Sequence, residues 1–330
     1  MKKNIIALAI ASALAAPIAM ADAPTIYGKL NVNINTKTDG GNGVNDTASR
    51  IGVKGSEDLG NGLKAVYKIE FGLDLEGSDV LTNRNQYLGL AGGFGTVLAG
   101  RHDSPMKMVQ PTDIFNDGAA DNNASKMGAT KNSGEHRASH VLAYVSPSFS
   151  GVKLILAGTS PDAASDDDDR SITGGTHAAV AYGSAKKGLF LSAAMNSFSS
   201  DTYNVPTTNV GTKDYNETSF AAQYKTGGLT VNGMLRNFDD GASADARNEG
   251  ALTIVGAAYK MGKFTVKGKI MQADYANDDK TGTQTALGLG YSLGKKTSAY
   301  VYTTTKDKNY VSSTATKSNT QSFVGMVHKF

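Results

Sequence analysis

The chain has 330 residues, with 33 Lys+Arg, 30 Asp+Glu and no cysteine, which excludes thiol catalysis, disulfides and thiolate metal sites. A formal net charge of +3 lacks the marked basic excess of a nucleic-acid binder. After residue 20 no stretch approaches the roughly 18 uncharged apolar residues of a membrane helix, so any crossing of a bilayer must be made by strands.

At the N-terminus, Lys2-Lys3, the apolar run Ile5 to Met20 and the small-residue site Ala19-Met20-Ala21 have the layout of a secretory signal. The expectation is that residues 1–21 are removed and that 22–330 form one domain. Loss of Lys2 and Lys3 takes the 33 basic residues to 31 against 30 acids, close to neutrality. The 38 glycines, 7 prolines, 14 tyrosines and 11 phenylalanines suit one large all-β barrel with many turns.

From Thr25 the apolar period is two. Ile26, Leu30, Val32 and Ile34 share one face of an extended segment and Lys29, Asn31, Asn33 and Asn35 the other. Leu63, Ala65, Tyr67, Ile69 and Phe71 oppose Lys64, Lys68 and Glu70. Phe220, Ala222 and Tyr224 oppose Gln223 and Lys225; Leu229, Val231, Gly233 and Leu235 oppose Asn232 and Arg236. Phe264, Val266, Gly268 and Ile270 oppose Lys267 and Lys269.

Two kinds of connection alternate between these runs. Short turns include Asn61-Gly62, Gly92-Gly93-Phe94-Gly95, Gly227-Gly228 and Met261-Gly262. Long polar connections run over 37–47, 74–83, 102–136, 158–175, 197–216, 238–250, 274–282 and 304–319. A sheet with tight turns at one end and long hydrophilic loops at the other has the asymmetry of an outer-membrane barrel.

Alternation alone does not separate a membrane barrel from a soluble sandwich. Three features favour the barrel. The apolar faces are thin and rich in Gly, Ala and Val; the opposite faces carry charges at central positions, as a water-filled lumen allows. Tyrosines recur near strand ends at 67, 144, 182, 224, 259, 291 and 302, as an interfacial girdle would require.

The segment Ser49-Arg50-Ile51-Gly52-Val53-Lys54-Gly55-Ser56-Glu57-Asp58-Leu59-Gly60-Asn61-Gly62-Leu63-Lys64-Ala65 resembles the second strand, turn and third strand of Gram-negative general-diffusion porins, closest to the neisserial and β-proteobacterial branch. Arg84 through Gly100-Arg101, Arg137 leading to Tyr144-Val145-Ser146-Pro147, and Tyr291 to Thr297 extend the likeness across the chain. The ending Val324-Gly325-Met326-Val327-His328-Lys329-Phe330 is similar to the tail by which such barrels are recognised by the outer-membrane assembly machinery, with Phe330 as the signal.

The resemblance implies a 16-stranded antiparallel transmembrane β-barrel, a homotrimer in contact with outer-membrane lipid and lipopolysaccharide, and a third long loop, 102–136, folded into the lumen as a constriction. It implies basic residues on the wall, carried over to Arg50, Arg84 and Arg137 with Arg101 beside them, facing acidic residues, here Glu70, Asp113 and Asp117. Inward Lys29, Lys64, Lys68, Arg236, Lys267 and Lys269 add to the basic side. The expected function is passive diffusion of small hydrophilic solutes and ions with weak to moderate anion preference. No catalysis, cofactor or metal is expected.

Other signals are weaker. Asp166-Asp167-Asp168-Asp169 clusters carboxylates without the spacing of a calcium loop, as a solvated charge run does. The five histidines, His102, His136, His140, His177 and His328, have no paired metal-ligand spacing. Two other functions remain compatible with a barrel: an adhesin with a plugged lumen, and a hydrolase with Ser and His at the lipid-facing rim, for which no site can be nominated.

Overall fold

The computed structural model describes residues 23–37, 41–77, 81–122, 137–160, 172, 174–198, 215–239, 249–276, 278–311 and 316–330. The expected signal at 1–21, the acidic run at 166–169 and the second half of the 102–136 loop lie outside them.

The strands, in order, are β1 (Thr25–Lys37), β2 (Asn42–Asp46), β3 (Arg50–Gly60), β4 (Leu63–Leu73), β5 (Leu81–Gly92) and β6 (Gly95–Asp103). A short helix α1 (Pro105–Met108) precedes β7 (Arg137–Val145), β8 (Val152–Thr159), β9 (Gly175–Gly183), β10 (Gly188–Phe198), β11 (Tyr215–Thr226) and β12 (Leu229–Asp239). Then come β13 (Glu249–Met261), β14 (Phe264–Tyr275), β15 (Asp278–Ser292), β16 (Thr297–Lys306), a second short helix α2 (Lys308–Val311) and β17 (Asn319–Lys329).

Because β2 and β3 both pair with β1, they are two pieces of one barrel strand, and the count is sixteen. Each of the sixteen barrel strands is antiparallel to its neighbours in sequence, and β1 pairs β17 from Lys29↔Lys329 to Lys37↔Gln321, which closes the sheet. Reciprocal bonds between the backbones of Gly28 and Phe330, both 3.1 Å, finish the seam. A Cβ on Gly28 would lie 2.0 Å from Phe330 Cζ, so the terminal ring covers the bare backbone of a glycine. The first hairpin turns on Asn61 and Gly62, whose φ of 51° and 76° meet the demand of a primed turn for two left-handed residues.

Exposure decides between sandwich and barrel. Leu30, Ile69 and Ile270 are 36%, 50% and 54% exposed, whereas Asn31, Asn33 and Asn35 on the alternate face of β1 are buried. A sandwich would invert these values. Apolar outside and polar inside, with the sheet closed so that no edge is left unpaired, is the arrangement that hydrocarbon demands. Tyr182, Tyr224 and Tyr259 stand exposed close to the tight turns, and half-buried Tyr67, Tyr144 and Tyr291 lie on the same outward face, a girdle at one rim.

Three details depart from expectation. Tyr302 faces inward, buried, its ring stacked on Phe323 at 4.5 Å. The connection expected over 274–282 is tight, since β14 continues to Tyr275, which pairs with Asp278 at the start of β15. The inner face is not polar throughout: Met234, Phe238, Leu252, Ile254, Met271 and Tyr275 form an apolar cluster with Tyr310 of α2, which therefore folds inside the barrel. Alternation assigns a side chain to a face, but not what later folds back to cover it.

Nitroxide labels test this orientation. Labels at Leu30, Ile69 and Ile270 should be relaxed by oxygen dissolved in lipid, and labels at Asn33 and Gln223 should not; the reverse order would refute the barrel's polarity.

Candidate functional site

The connection after β6 enters the barrel. Ser104 caps α1, its Oγ accepting from Lys107 N at 3.3 Å, and Pro105 occupies the first turn, where its missing N–H costs nothing. Buried Met106 lies within 3.5 Å (Sδ) of Asn196 Nδ2, and Val109 packs on Ile155, Ala179 and Phe190. The chain then tracks the inner wall. Thr112 N donates to Gln223 Oε1 (2.8 Å) and Thr112 O accepts from Asn232 Nδ2 (2.6 Å). Ile114 O accepts from Lys267 Nζ (3.0 Å), and Ala119 N donates to the Tyr302 hydroxyl (3.0 Å). Ile114, Phe115 and Ala120 join Ala286, Tyr302 and Phe323 in one apolar cluster. Segment 104–122 is thus bound to successive strands from β8 round to β16.

Where this segment meets β1 and β3, charges concentrate. Asp117 Oδ2 is 2.6 Å from Lys29 Nζ and 2.5 Å from Arg50 Nη2. Glu70 accepts from Arg84 Nε at 2.7 Å and from the Tyr27 hydroxyl at 2.7 Å, with Lys68 Nζ 3.2 Å away. Asp103 lies 3.0 Å from Arg137 Nη2 and 3.7 Å from Lys107 Nζ, and accepts from Asn85 Nδ2 at 2.8 Å. Asp113 pairs with buried Lys269 at 2.8 Å. Seven cations therefore meet four carboxylates in one network, three of those carboxylates hold two cations each, and the four carboxylates with Arg50, Lys68, Arg84, Lys107 and Arg137 line a polar cleft of about 280 Å³.

Irregular backbone places these groups. Residues 47–49 interrupt the second barrel strand, with Ala48 at φ 52° and Ser49 Oγ accepting from Asn31 N, and Arg50 follows directly. Register shifts interrupt β4–β5 between Ile69 and Phe71, at Glu70, and β6–β7 between Gly100 and His102, at Arg101. Each is a bulge that re-aims a side chain, and together they mark one level of the wall.

The structure brings together Lys29, Arg50, Lys68, Arg84, Arg137, Glu70 and Asp117 of the residues singled out in the sequence. Glu70 stands on the wall among the cations, not opposite them, and Asp117 touches the wall directly. Asp113 faces the β14 side as a tether, accepting also from the amides of Phe115 and Asn122. Lys267 and Lys269 hold the loop. Arg101, at the bulge, pairs opposite Gln86 and donates to Ser139 Oγ (2.7 Å), away from the cleft. Lys64 is exposed next to the Asn61-Gly62 turn, and Arg236 is fully buried beside the apolar cluster, so neither lines the cleft. Asp103, Lys107 and Asn85 line the cleft, Tyr27 bonds Glu70 beside it, and all four were missed; the Asp-Ser-Pro-x-Lys spacing at 103–107, a capped turn with an i,i+4 pair, was the available signal. Among the described residues no cluster could hold a metal ion.

Burial pushes the Asp117 carboxyl upward, but Arg50 and then Lys29 outweigh it and hold the group below the usual carboxylate range. A carboxyl depressed on folding stabilises above its unfolded pKa, and that contribution is lost as pH falls through the lower folded value.

The profile of a family described as "Gram-negative porin" matches residues 7–310. The major outer membrane protein P.IB of Neisseria gonorrhoeae is 30% identical over 331 residues, covering 91% of this chain and 92% of the relative. The protein of that name from Neisseria meningitidis serogroup B is 29% identical over 327 residues with the same coverage. Among solved structures, an anion-selective porin from Comamonas acidovorans aligns with a TM-score of 0.73 at 20% identity, over 93% of this chain and 99% of its own. OmpT of Vibrio cholerae in a trimer form aligns at 0.67 and 18% identity, over 94% and 100%.

Asp117→Asn should destabilise the folded protein by about 1.5–3 kcal/mol at neutral pH, the worth of hydrogen bonds to a charged group. Calorimetric melting of the wild type should lose part of its stability below about pH 4, and the variant should lack that part.

Proposed function

Since this chain belongs to the Gram-negative porin family and is an outer-membrane protein, we propose that it is a passive diffusion channel with a preference for small hydrophilic anions, and that segment 104–122 and the charges around it are its filter. The observation that carries the preference is the two-to-one arrangement at Asp117, Glu70 and Asp103. Each carboxylate fixes a pair of cations in place while neutralising one, so the network keeps three positive charges at defined positions in and beside the cleft. A preorganised positive cleft raises the local concentration of anions and repels cations. The Comamonas acidovorans porin, which shares the fold, is anion-selective.

Nothing in this reading requires catalysis; transport is driven by the solute's own gradient. Export with removal of residues 1–21, recognition of Phe330 during assembly, and a homotrimer embedded in lipid and lipopolysaccharide complete the proposal. Phe330 sits at the seam with Val324 and Met326 exposed on the same outward face, and OmpT, of like fold, has a trimer form.

Replacing Arg50, Arg84 and Arg137 together by Ser would leave four cations against four carboxylates. Reversal potentials in a salt gradient should then give an anion-to-cation permeability ratio close to that of free diffusion, and an unchanged ratio would reject the assignment. In the wild type the preference should weaken as salt rises from about 0.01 M to about 1 M, since the screening length shrinks from about 30 Å to about 3 Å.

A further inference from the structure

A second cavity of about 330 Å³ lies inside the barrel on the tight-turn side of segment 104–122, between β13, β14, β15 and β16. Lys260, Lys263 and Lys267 line it and no carboxylate does. None of the three is in an ion pair among the described residues, in contrast to the clamped cations of the arginine cleft. Lys267 donates to Ile114 O, which fixes its ammonium over the Phe115 ring at 4.9 Å from the centroid.

The two cavities also differ in their walls. The arginine cleft has no aromatic lining, whereas this one is bounded by Phe115, Tyr300 and Tyr302. The Tyr300 hydroxyl is held by Asn31 Oδ1 at 2.9 Å, and the Tyr302 hydroxyl by the Ala119 amide, so both rings are fixed. Gly290 keeps the space open: a Cβ there would meet nothing closer than Thr265 Cβ at 3.8 Å. Asn116 lines both cavities, which places them on either side of that residue.

We propose that this cavity is a binding station for ring-bearing monocarboxylates of the benzoate class. Resting on the reading of the barrel as a diffusion channel, it would make the pore distinguish aromatic from aliphatic anions of equal charge. The chemistry is two-part. Unpaired ammonium groups supply charge-assisted hydrogen bonds to the carboxylate, and preset aromatic walls take the flat ring by offset or edge contact. A cavity at the lower end of the range for small-molecule sites has room for one such ring with its carboxylate. Acetate has the charge without the ring and gains only the first part.

The test uses the purified full-length protein, with benzoate and acetate as probes, in planar bilayers carrying chloride current and in detergent by titration calorimetry. Benzoate should block chloride current, acetate at equal concentration should not, and calorimetry should detect benzoate alone. Lys260→Gln with Lys263→Gln, both exposed beside a turn, should weaken block and binding about tenfold, the loss of about one charge-assisted bond. Gly290→Leu should fill the cavity and abolish binding. The triple arginine variant should keep benzoate block while losing anion preference. Equal effects of benzoate and acetate, or an affinity indifferent to the lysine pair, would overturn the proposal. Open channels without benzoate binding would reject the station and spare the diffusion reading; benzoate binding that depends on the lysine pair, in a protein that forms no channels, would do the opposite.

Discussion

Hydrocarbon offers no partner to a peptide group, and the structure depends on meeting that constraint by closing the sheet on itself. The β1–β17 seam completes the ladder, with Gly28 and Phe330 exchanging both bonds and the terminal ring covering a residue that has no side chain of its own. Once lipid takes the apolar side, everything polar must go inward. Asn31, Glu217, Gln223, Gln284 and Thr304 are consequently buried, and they are tolerated because they bond to other inward side chains or to the loop that enters the barrel.

That loop is held by two kinds of force on different parts of its path. Dispersion and apolar packing fix Val109 near the start and Ile114, Phe115 and Ala120 near the far wall. Charge fixes it at Asp113, to β14, and at Asp117, to β1 and β3. A carboxylate in this half-buried setting is stable only when its partners compensate its desolvation, and two cations do so more fully than one. The excess positive charge therefore arises from the same arrangement that makes the loop rigid.

The contact at Asp117 changes the picture implied by resemblance, in which an acidic loop faces a basic wall across open space. Here loop and wall touch, and Glu70 and Asp103 sit among the cations they were expected to oppose or were not expected to meet at all. The extra residue on β5 opposite Glu70 breaks strict alternation, so that consecutive Arg84 and Asn85 both reach the cleft; a second bulge on β7 opposite Arg101 and the break before Arg50 lie beside it. Function is concentrated where the strand pattern is broken.

The sequence by itself determined the strands, the face each side chain takes and the rank of tight turns opposite long loops. Lipid and water at the two faces of a closed sheet impose a period of two that survives in the order of residues. The resemblance to the porin family, and not the period, placed Arg50, Arg84, Arg137 and Asp117 at one site. Only the tertiary structure decided which inward groups meet water: Lys269 is spent on Asp113, Arg236 is covered, Tyr302 holds the loop, and the lysines at 260, 263 and 267 line a cavity that no carboxylate lines. Alternation is local and sets direction, whereas partnership and burial depend on segments more than a hundred residues away that fold back into the barrel.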